Sequence, residues 1–480
     1  MRIHFKFIWL AISIGILAGC APLPAKSPIQ PPIAKPELQQ SLAGLAQDPA
    51  FQPTSAGQPN EWWGSFRDQQ LDSLIQMALN GNPSLAAAQA RIDQSQKAAR
   101  LIALDSGLRF NSDASIVRQH LSQNGLFPPP LGGATLNEGD ISVGTAYTLD
   151  WWGKNRSLIQ SAIGESKSTE AEHREAELVL AGEVADAYFN WLDITARIAL
   201  EGKIVEKRGL ALQLAEFRLK RGMDSSLISS QLEEKLLLEQ DNIKEMEAQS
   251  IVLHNRLAAL TGNGPDWEAD LKPADFSDSK TFPLPQKLPL DLLAQRPDLV
   301  ALKWRVEAVG NRIEVAKADF YPNVDLNLML GLQSLDLGSW LTTQSWYGSF
   351  GPAIHIPLFN VRTLRTRLGI TEAEYTEAVS EYNQAIIQAA NQVADSLTRV
   401  SSIYARKQLQ HTATASAERS QRFQSERYES GLSDRLPVLD EEIAALAQHQ
   451  RESKLQADHK RAMVSLFVAL GGNFESSQEQ

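Results

Sequence analysis

Val324-Asp325-Leu326-Asn327-Leu328-Met329-Leu330-Gly331-Leu332 is the stretch that decides the fold. Val324, Leu326, Leu328, Leu330 and Leu332 alternate with Asp325, Asn327, Met329 and Gly331. A period of two places the branched residues on one face of an extended chain, and about nine residues is the span of a membrane strand. Trp346, Gly348, Phe350, Pro352, Ile354 and Ile356 supply a partner with the same alternation, and Ile141, Val143, Thr145, Tyr147 and Leu149 a third. The stretch from Leu108 to His120 reads as a fourth strand with weaker patterning. Gly- and Pro-containing loops, Phe127 to Gly133 and Leu335 to Thr343, join the pairs. Four strands cannot close a barrel, and open edges are not tolerated in hydrocarbon. Several identical chains can close it, and three would supply twelve strands.

Outward from this stretch the chain duplicates. Asn82-Pro83-Ser84-Leu85 and Arg91-Ile92 correspond to Arg296-Pro297-Asp298-Leu299 and Arg305-Val306. Arg221-Gly222-Met223-Asp224 corresponds to Ser430-Gly431-Leu432-Ser433, and Leu257-Ala258-Ala259-Leu260-Thr261-Gly262 to Phe467-Val468-Ala469-Leu470-Gly471-Gly472. A repeat this long means two similar halves. Each half reads as helix, strand, loop, strand and two long helices. The first long helix, Leu158 to Arg221, contains no Pro, and about sixty residues give roughly 90 Å. Val184, Tyr188, Trp191, Ile194 and Ile198 keep the three-four spacing of a packed face. A return helix is expected from Ser226 to Leu260, and the second half repeats the pair over Thr363 to Tyr428 and Pro437 to Leu470. Helices of this length belong to a coiled coil or a helical tube.

The N-terminal region reads as targeting. Arg2 and Lys6 precede the apolar run Phe7 to Leu17, too short to span a bilayer as a helix. Leu17-Ala18-Gly19-Cys20 is a lipobox-like ending, and Cys20 is the sole cysteine of the chain, so no internal disulfide is available. Residues 1–19 are expected to be a lipoprotein signal peptide, with lipid on Cys20. Ala21, where an Asp would favour inner-membrane retention, points to the outer membrane. Residues 20–60, with Pro22, Pro24, Pro28, Pro31, Pro32 and Pro36, read as an extended arm, either a disordered linker or packed along the body. The expected units are a first repeat at 61–265, a linker at 266–285, a second repeat at 286–473 and a tail at 474–480.

Composition narrows the function. A formal charge of −11 over 480 residues argues against nucleic-acid binding. HExxH, CxxC, P-loop and GxSxG segments are absent from the sequence. The eight His are scattered, and His449 and His459 stand ten residues apart, which is no ligand spacing. Glu233 and Glu234 are neighbours on a helix and do not face each other. The expectation is a protein with no catalytic site, no metal and no cofactor beyond the lipid.

Five segments in order resemble the TolC-like outer-membrane efflux family, in particular its lipoprotein members of the OprM and NodT type. They are Trp62-Trp63-Gly64-Ser65-Phe66 with Gln70-Leu71-Asp72-Ser73-Leu74, Tyr147 to Lys154, Leu293 to Leu299, Ala318-Asp319-Phe320-Tyr321-Pro322, and Ile356-Pro357-Leu358-Phe359-Asn360. Ser106-Gly107-Leu108 departs from the pattern, lacking the Pro found at Pro322. The resemblance implies an α+β membrane protein: a homotrimeric outer-membrane β-barrel, four strands per chain, continued by a long periplasmic α-helical barrel. It implies passive conduction of drugs or other small toxic molecules, with an inner-membrane transporter of the resistance-nodulation-division (RND) class reached through a periplasmic adaptor (membrane fusion protein). A protein-secretion duct and a non-conducting periplasmic scaffold are the alternatives. By the same resemblance, Arg221, Gly222, Met223, Asp224, Ser430, Gly431, Leu432 and Ser433 form adaptor-docking turns. Tyr428, Leu436 and Asp440 fall where relatives constrict the channel. Asp440 from three chains would make an acidic ring, to which Asp434, Glu441 and Glu442 add; Glu441 and Glu442 read alternatively as a solvated face. Trp151 and Trp152 read as interface-belt aromatics.

Overall fold

A computed structural model of the chain describes residues 51–54, 61–267, 271–273, 282–285 and 293–472. The signal peptide, Cys20, most of the arm and the tail lie outside the described residues. The described elements are β1 (Phe51–Thr54), a 3-10 turn (Trp62–Phe66), α1 (Gln69–Gly81), α2 (Pro83–Asp105), β2 (Arg109–His120), β3 (Thr135–Thr148), α3 (Lys154–Lys220), α4 (Ser226–Leu260), β4 (Phe282–Pro285), α5 (Pro297–Ala318), β5 (Asn323–Ser334), a second 3-10 turn (Thr343–Ser345), β6 (Trp346–His355), α6 (Val361–Glu429) and α7 (Arg435–Ala469). Helix, strand, strand and two long helices therefore occur twice, as the duplication predicts. Among the described residues, no helix is long and apolar enough to cross a membrane.

The chain divides into two compact bodies. One holds residues 91–170 and 301–382 and contains a four-stranded antiparallel sheet in the order β2-β3-β5-β6. Its registers run Ile141↔Leu332, Val143↔Leu330 and Thr145↔Leu328 across β3 and β5, then Leu328↔Phe350 and Val324↔Ile354 across β5 and β6. Leu149 lies one residue past β3, yet its N–H donates to Val324 O at 2.9 Å and lengthens the ladder. In this body Gly164 of α3 lies against Ala308 of α5, where an added Cβ would stand 3.0 Å from the Ala308 Cβ. Small residues thus let these two helices approach closely.

The second body holds residues 171–300 and 383–472 with the 3-10 turn and α1. Its core is aromatic. Trp62 stacks on Phe467 at 5.6 Å, and Phe66 meets Phe189 at 5.0 Å. All four are buried, and aromatic pairs of this kind add about 0.5–1.5 kcal/mol beyond the area they bury. Helix α1 is an element to which the sequence reading assigned no helix. Asp68 caps it by accepting from Gln70 N and Leu71 N, and Leu71, Leu74, Ile75 and Ala78 form its buried face. The Tyr188 hydroxyl donates to Asp68 Oδ2 at 2.9 Å, tying α3 to that cap. Burial first, and the adjoining Asp68 charge second, push this phenol above its usual range. Residues 51–54 pair in parallel with 282–285, so this part of the arm packs against the linker.

The helix boundaries follow the pattern closely. Ser226–Leu260 is as read, α3 begins four residues before Leu158, and α6 spans 69 residues. Helix α7 begins at Arg435 rather than Pro437. A Pro is tolerated there because the first turn has no i−4 hydrogen bond to lose.

Candidate functional site

The register of the sheet sorts its residues into two faces. One carries Phe110, Ala114 and Ile116 from β2, Ile141, Val143 and Tyr147 from β3, alternate Leu residues from β5, and Trp346, Phe350 and Ile354 from β6. Phe350 is 76% exposed and Phe110 71%. A continuous exposed apolar face of this extent is built for lipid or for another apolar surface. The opposite face is polar. Tyr347 Oη donates to Asp140 Oδ2 at 2.8 Å, Gln333 Nε2 to Glu138 Oε1 at 2.6 Å, and Thr148 Oγ1 to Asp325 Oδ1 at 2.6 Å. Among the described residues, both outer strands, β2 and β6, keep one unpaired edge.

At the junction of strand and helix, Asp150 caps α3, its carboxylate accepting from Asn155 N and Arg156 N. The negative charge also suits the positive end of the helix dipole. Trp152 stacks on Tyr321 at 4.4 Å and donates to Pro322 O, while Lys154 pairs with Asp319 at 2.6 Å. Trp151 is 67% exposed.

In the second body, the two expected docking turns close by one device. Gly222 N donates to Leu219 O and Met223 N to Arg218 O, both at 2.9 Å. Gly431 N donates to Tyr428 O at 2.9 Å and Leu432 N to Arg427 O at 2.8 Å. These are Schellman closures, and they require positive φ, here +68° at Gly222 and +71° at Gly431. Met223 and Leu432 project from the turns, 65% and 71% exposed.

The expected constriction residues lie beside these turns. Tyr428 is exposed, with the Arg435 guanidinium over its ring at 5.7 Å. Leu436 is half-buried. Asp440 is exposed and faces Arg208 Nη1 of α3 at 3.5 Å. The neighbouring acids are not alike. Glu441 is half-buried, whereas Glu442 is no solvated residue: it pairs with Lys207 at 2.7 Å and Arg435 at 3.2 Å, its side chain 13% exposed. Asp434 pairs with Arg218 at 3.2 Å, and Arg218 also pairs with Asp224 at 2.8 Å. Those contacts, the Asp434 hydrogen bond foremost, raise the Arg218 pKa and keep it charged.

These pairs are the lower rungs of a polar seam between antiparallel α3 and α7. Above them, Gln450 donates to Glu201, Ser453 to Asp193 at 3.4 Å, and Arg461 Nε to Asp186 Oδ1 at 2.8 Å. Burial raises the Asp193 pKa, and Arg197 opposes that shift. Sequence reading named Asp440 and both turns but missed Arg208, Arg218, Lys207 and Arg435, whose ion pairs and ring contact surround them. The available signal was register: partners on α7 fall in number as those on α3 rise. Among the described residues, no group of three or more His, Cys, Asp or Glu is placed to hold a metal.

The family model for outer membrane efflux proteins matches residues 74–263 and 288–472. The multidrug resistance outer membrane protein MdtP of Escherichia coli (strain K12) is 28% identical over 475 residues, 97% of this chain and 95% of its own. The outer membrane protein VceC of Vibrio cholerae is 30% identical, with a TM-score of 0.77 over 87% of this chain and 100% of its own. The CmeC outer membrane channel of Campylobacter jejuni, 19% identical, shares the fold at a TM-score of 0.80 over 96% of each chain.

Proposed function

The chain belongs to the outer membrane efflux protein family and is an outer-membrane channel of efflux pumps, and on that premise we propose that three copies form the passive duct of a tripartite pump for drugs and other small toxic molecules. The observation that carries this reading is the four-stranded sheet, apolar on one face, polar on the other and open at both edges. In hydrocarbon each edge must be paired. Strand directions alternate across four strands, so β6 of one copy can pair antiparallel with β2 of the next. Three copies give twelve strands with the polar face inward. Residues 61–265 and 286–473 are the two repeats, whose long helices carry the duct through the periplasm.

The turns at Arg221 to Asp224 and Ser430 to Ser433 are the docking points for a periplasmic adaptor. Their exposed Met223 and Leu432 support this, because apolar side chains at the tips of solvated hairpins suit a partner surface. An RND transporter in the inner membrane supplies the energy. Cys20 carries the lipid that anchors the chain to the outer membrane. Tyr428, Leu436 and Asp440 form the aperture, and the acidic ring of Asp440 favours cations over anions. MdtP, named for multidrug resistance, supports a drug cargo.

The test is reconstitution of the purified full chain in planar bilayers. Discrete, cation-preferring conductance from particles with three-fold symmetry is expected. A protein that inserts without conducting, or stays monomeric in detergent, would overturn the duct.

A further inference from the structure

A cleft of about 370 Å³ lies at the foot of the four-stranded sheet, where β3 passes into α3, α5 into β5 and β6 into α6. Thr148, Asn323 and His355 line it. Thr148 stands opposite Asp325, Asn323 is two residues from Asp325, and His355 stands opposite Asn323. With a period of two, all three belong to the polar face of the sheet. Trp152, which the sequence reading assigned to an interface belt, lines the same cleft. Its ring stacks on Tyr321 at 4.4 Å with 16° between the planes, and its Nε1 donates to Pro322 O at 2.9 Å. The indole is thus fixed and its N–H satisfied, yet 49% of the residue is exposed. A ring held in this way is a ready platform, with little freedom left to lose when a ligand arrives. Asp150, Lys154 and Asp319 also line the cleft, Lys154 and Asp319 as an ion pair at 2.6 Å. Two carboxylates against one ammonium leave one negative charge in excess, with His355 neutral.

We propose that this cleft is a resting site for planar aromatic cations on the inner wall of the duct, with Trp152 as its platform. Its volume falls in the range of small-molecule sites, about 300–1,000 Å³. A flat aromatic ligand gains stacking on the exposed part of the indole, and a positive charge on that ligand adds attraction to the ring. The excess carboxylate favours the same sign of charge and repels an anion of equal shape. Asn155 and Asn360, also in the lining, donate to or accept from polar substituents. The site is weak by necessity, because conduction requires cargo that leaves as readily as it enters. It gives the chain a point of selection that does not involve Asp440. The inference rests on the reading of the polar face as the inside of the duct.

The probe is ethidium, a planar aromatic cation, titrated into the full-length protein in phosphatidylcholine nanodiscs and read by fluorescence polarisation. Saturable binding at one dye per chain is expected. W152L should weaken it by about tenfold, and W152F, which keeps a ring, by less. D319N, which cancels the excess charge, should weaken it by about threefold. The anionic dye 1-anilinonaphthalene-8-sulfonate should not compete. Ethidium monoazide, photolysed on the wild-type protein, depends on no variant folding; its label should fall within residues 148–155 or 318–323. Label elsewhere, or equal affinity in wild type and W152L, overturns the site. Binding lost in D440N and kept in W152L would place the dye at Asp440 and overturn the cleft. In planar bilayers, ethidium should interrupt the wild-type current. A conducting channel with a labelled cleft and an uninterrupted current overturns the place on the inner wall, whereas a chain that never conducts removes the duct reading and leaves the labelling to decide the cleft.

Discussion

The turn after α3 and the turn after α6 share a backbone and differ in their tethers. Both close with a positive-φ glycine and the same two hydrogen bonds. The first is locked from within its own hairpin, Arg218 to Asp224. The second depends on the first: Asp434 is held by Arg218, Asp440 by Arg208 and Glu442 by Lys207, all from α3. Its internal contacts are a cation over the Tyr428 ring, a neutral hydrogen bond from Gln424 Nε2 to Ser433 Oγ at 2.6 Å and the Arg435 share of Glu442. If Tyr428, Leu436 and Asp440 form the proposed aperture, one hairpin is the post and the other the leaf that hangs from it. Partly exposed ion pairs make a suitable latch, because water replaces them at little cost when the leaf moves.

The largest expected effect follows from cutting the shared residue. Arg218→Ala releases Asp434 and unlocks the first turn together, and open probability in planar bilayers should rise about fivefold or more; D224N, which removes only the internal lock, should leave conductance close to wild type. Equal conductance in the two variants would erase the difference between post and leaf. Next, Gly222→Val and Gly431→Val should each lower the thermal stability of the helical body by about 1–2 kcal/mol, the cost of a left-handed conformation for an L residue. Equal losses confirm a shared backbone device; a loss at one site only would show that the turns differ in backbone as well. A smaller change is expected at Tyr428. Removing its ring in Tyr428→Ala should cost about 0.5–1 kcal/mol in denaturant titration, and Tyr428→Phe, which keeps the face under Arg435, should be silent.

What the sequence disclosed and what it withheld divide along the range of the interactions. The strands were legible because alternation on β5 is a local pattern, and the long helices because Pro is absent from Leu158 to Arg221 and the turns carry Gly222 and Gly431. Helix α1 had its signals in Asp68 and the spacing of Leu71, Leu74, Ile75 and Ala78, but Pro83 marked a more conspicuous start and drew the boundary. The tethers were not legible. Arg208 and Arg218 are ordinary helical cations until antiparallel packing sets them opposite Asp440 and Asp434, more than two hundred residues away. Glu442 misled for the same reason: beside Glu441 it reads as solvated, and only Lys207 and Arg435 reveal its partners.

The open edges of the sheet carry a consequence for inheritance. Each chain brings two unlike edges, β2 and β6, and a closed ring consumes one of each at every joint. A chain spoiled on β2 still offers an intact β6, so it enters assembly alongside normal chains and leaves a seam that lipid cannot seal. In a cell carrying both alleles, such a lesion behaves as dominant, whereas a lesion that prevents the chain from folding at all is recessive.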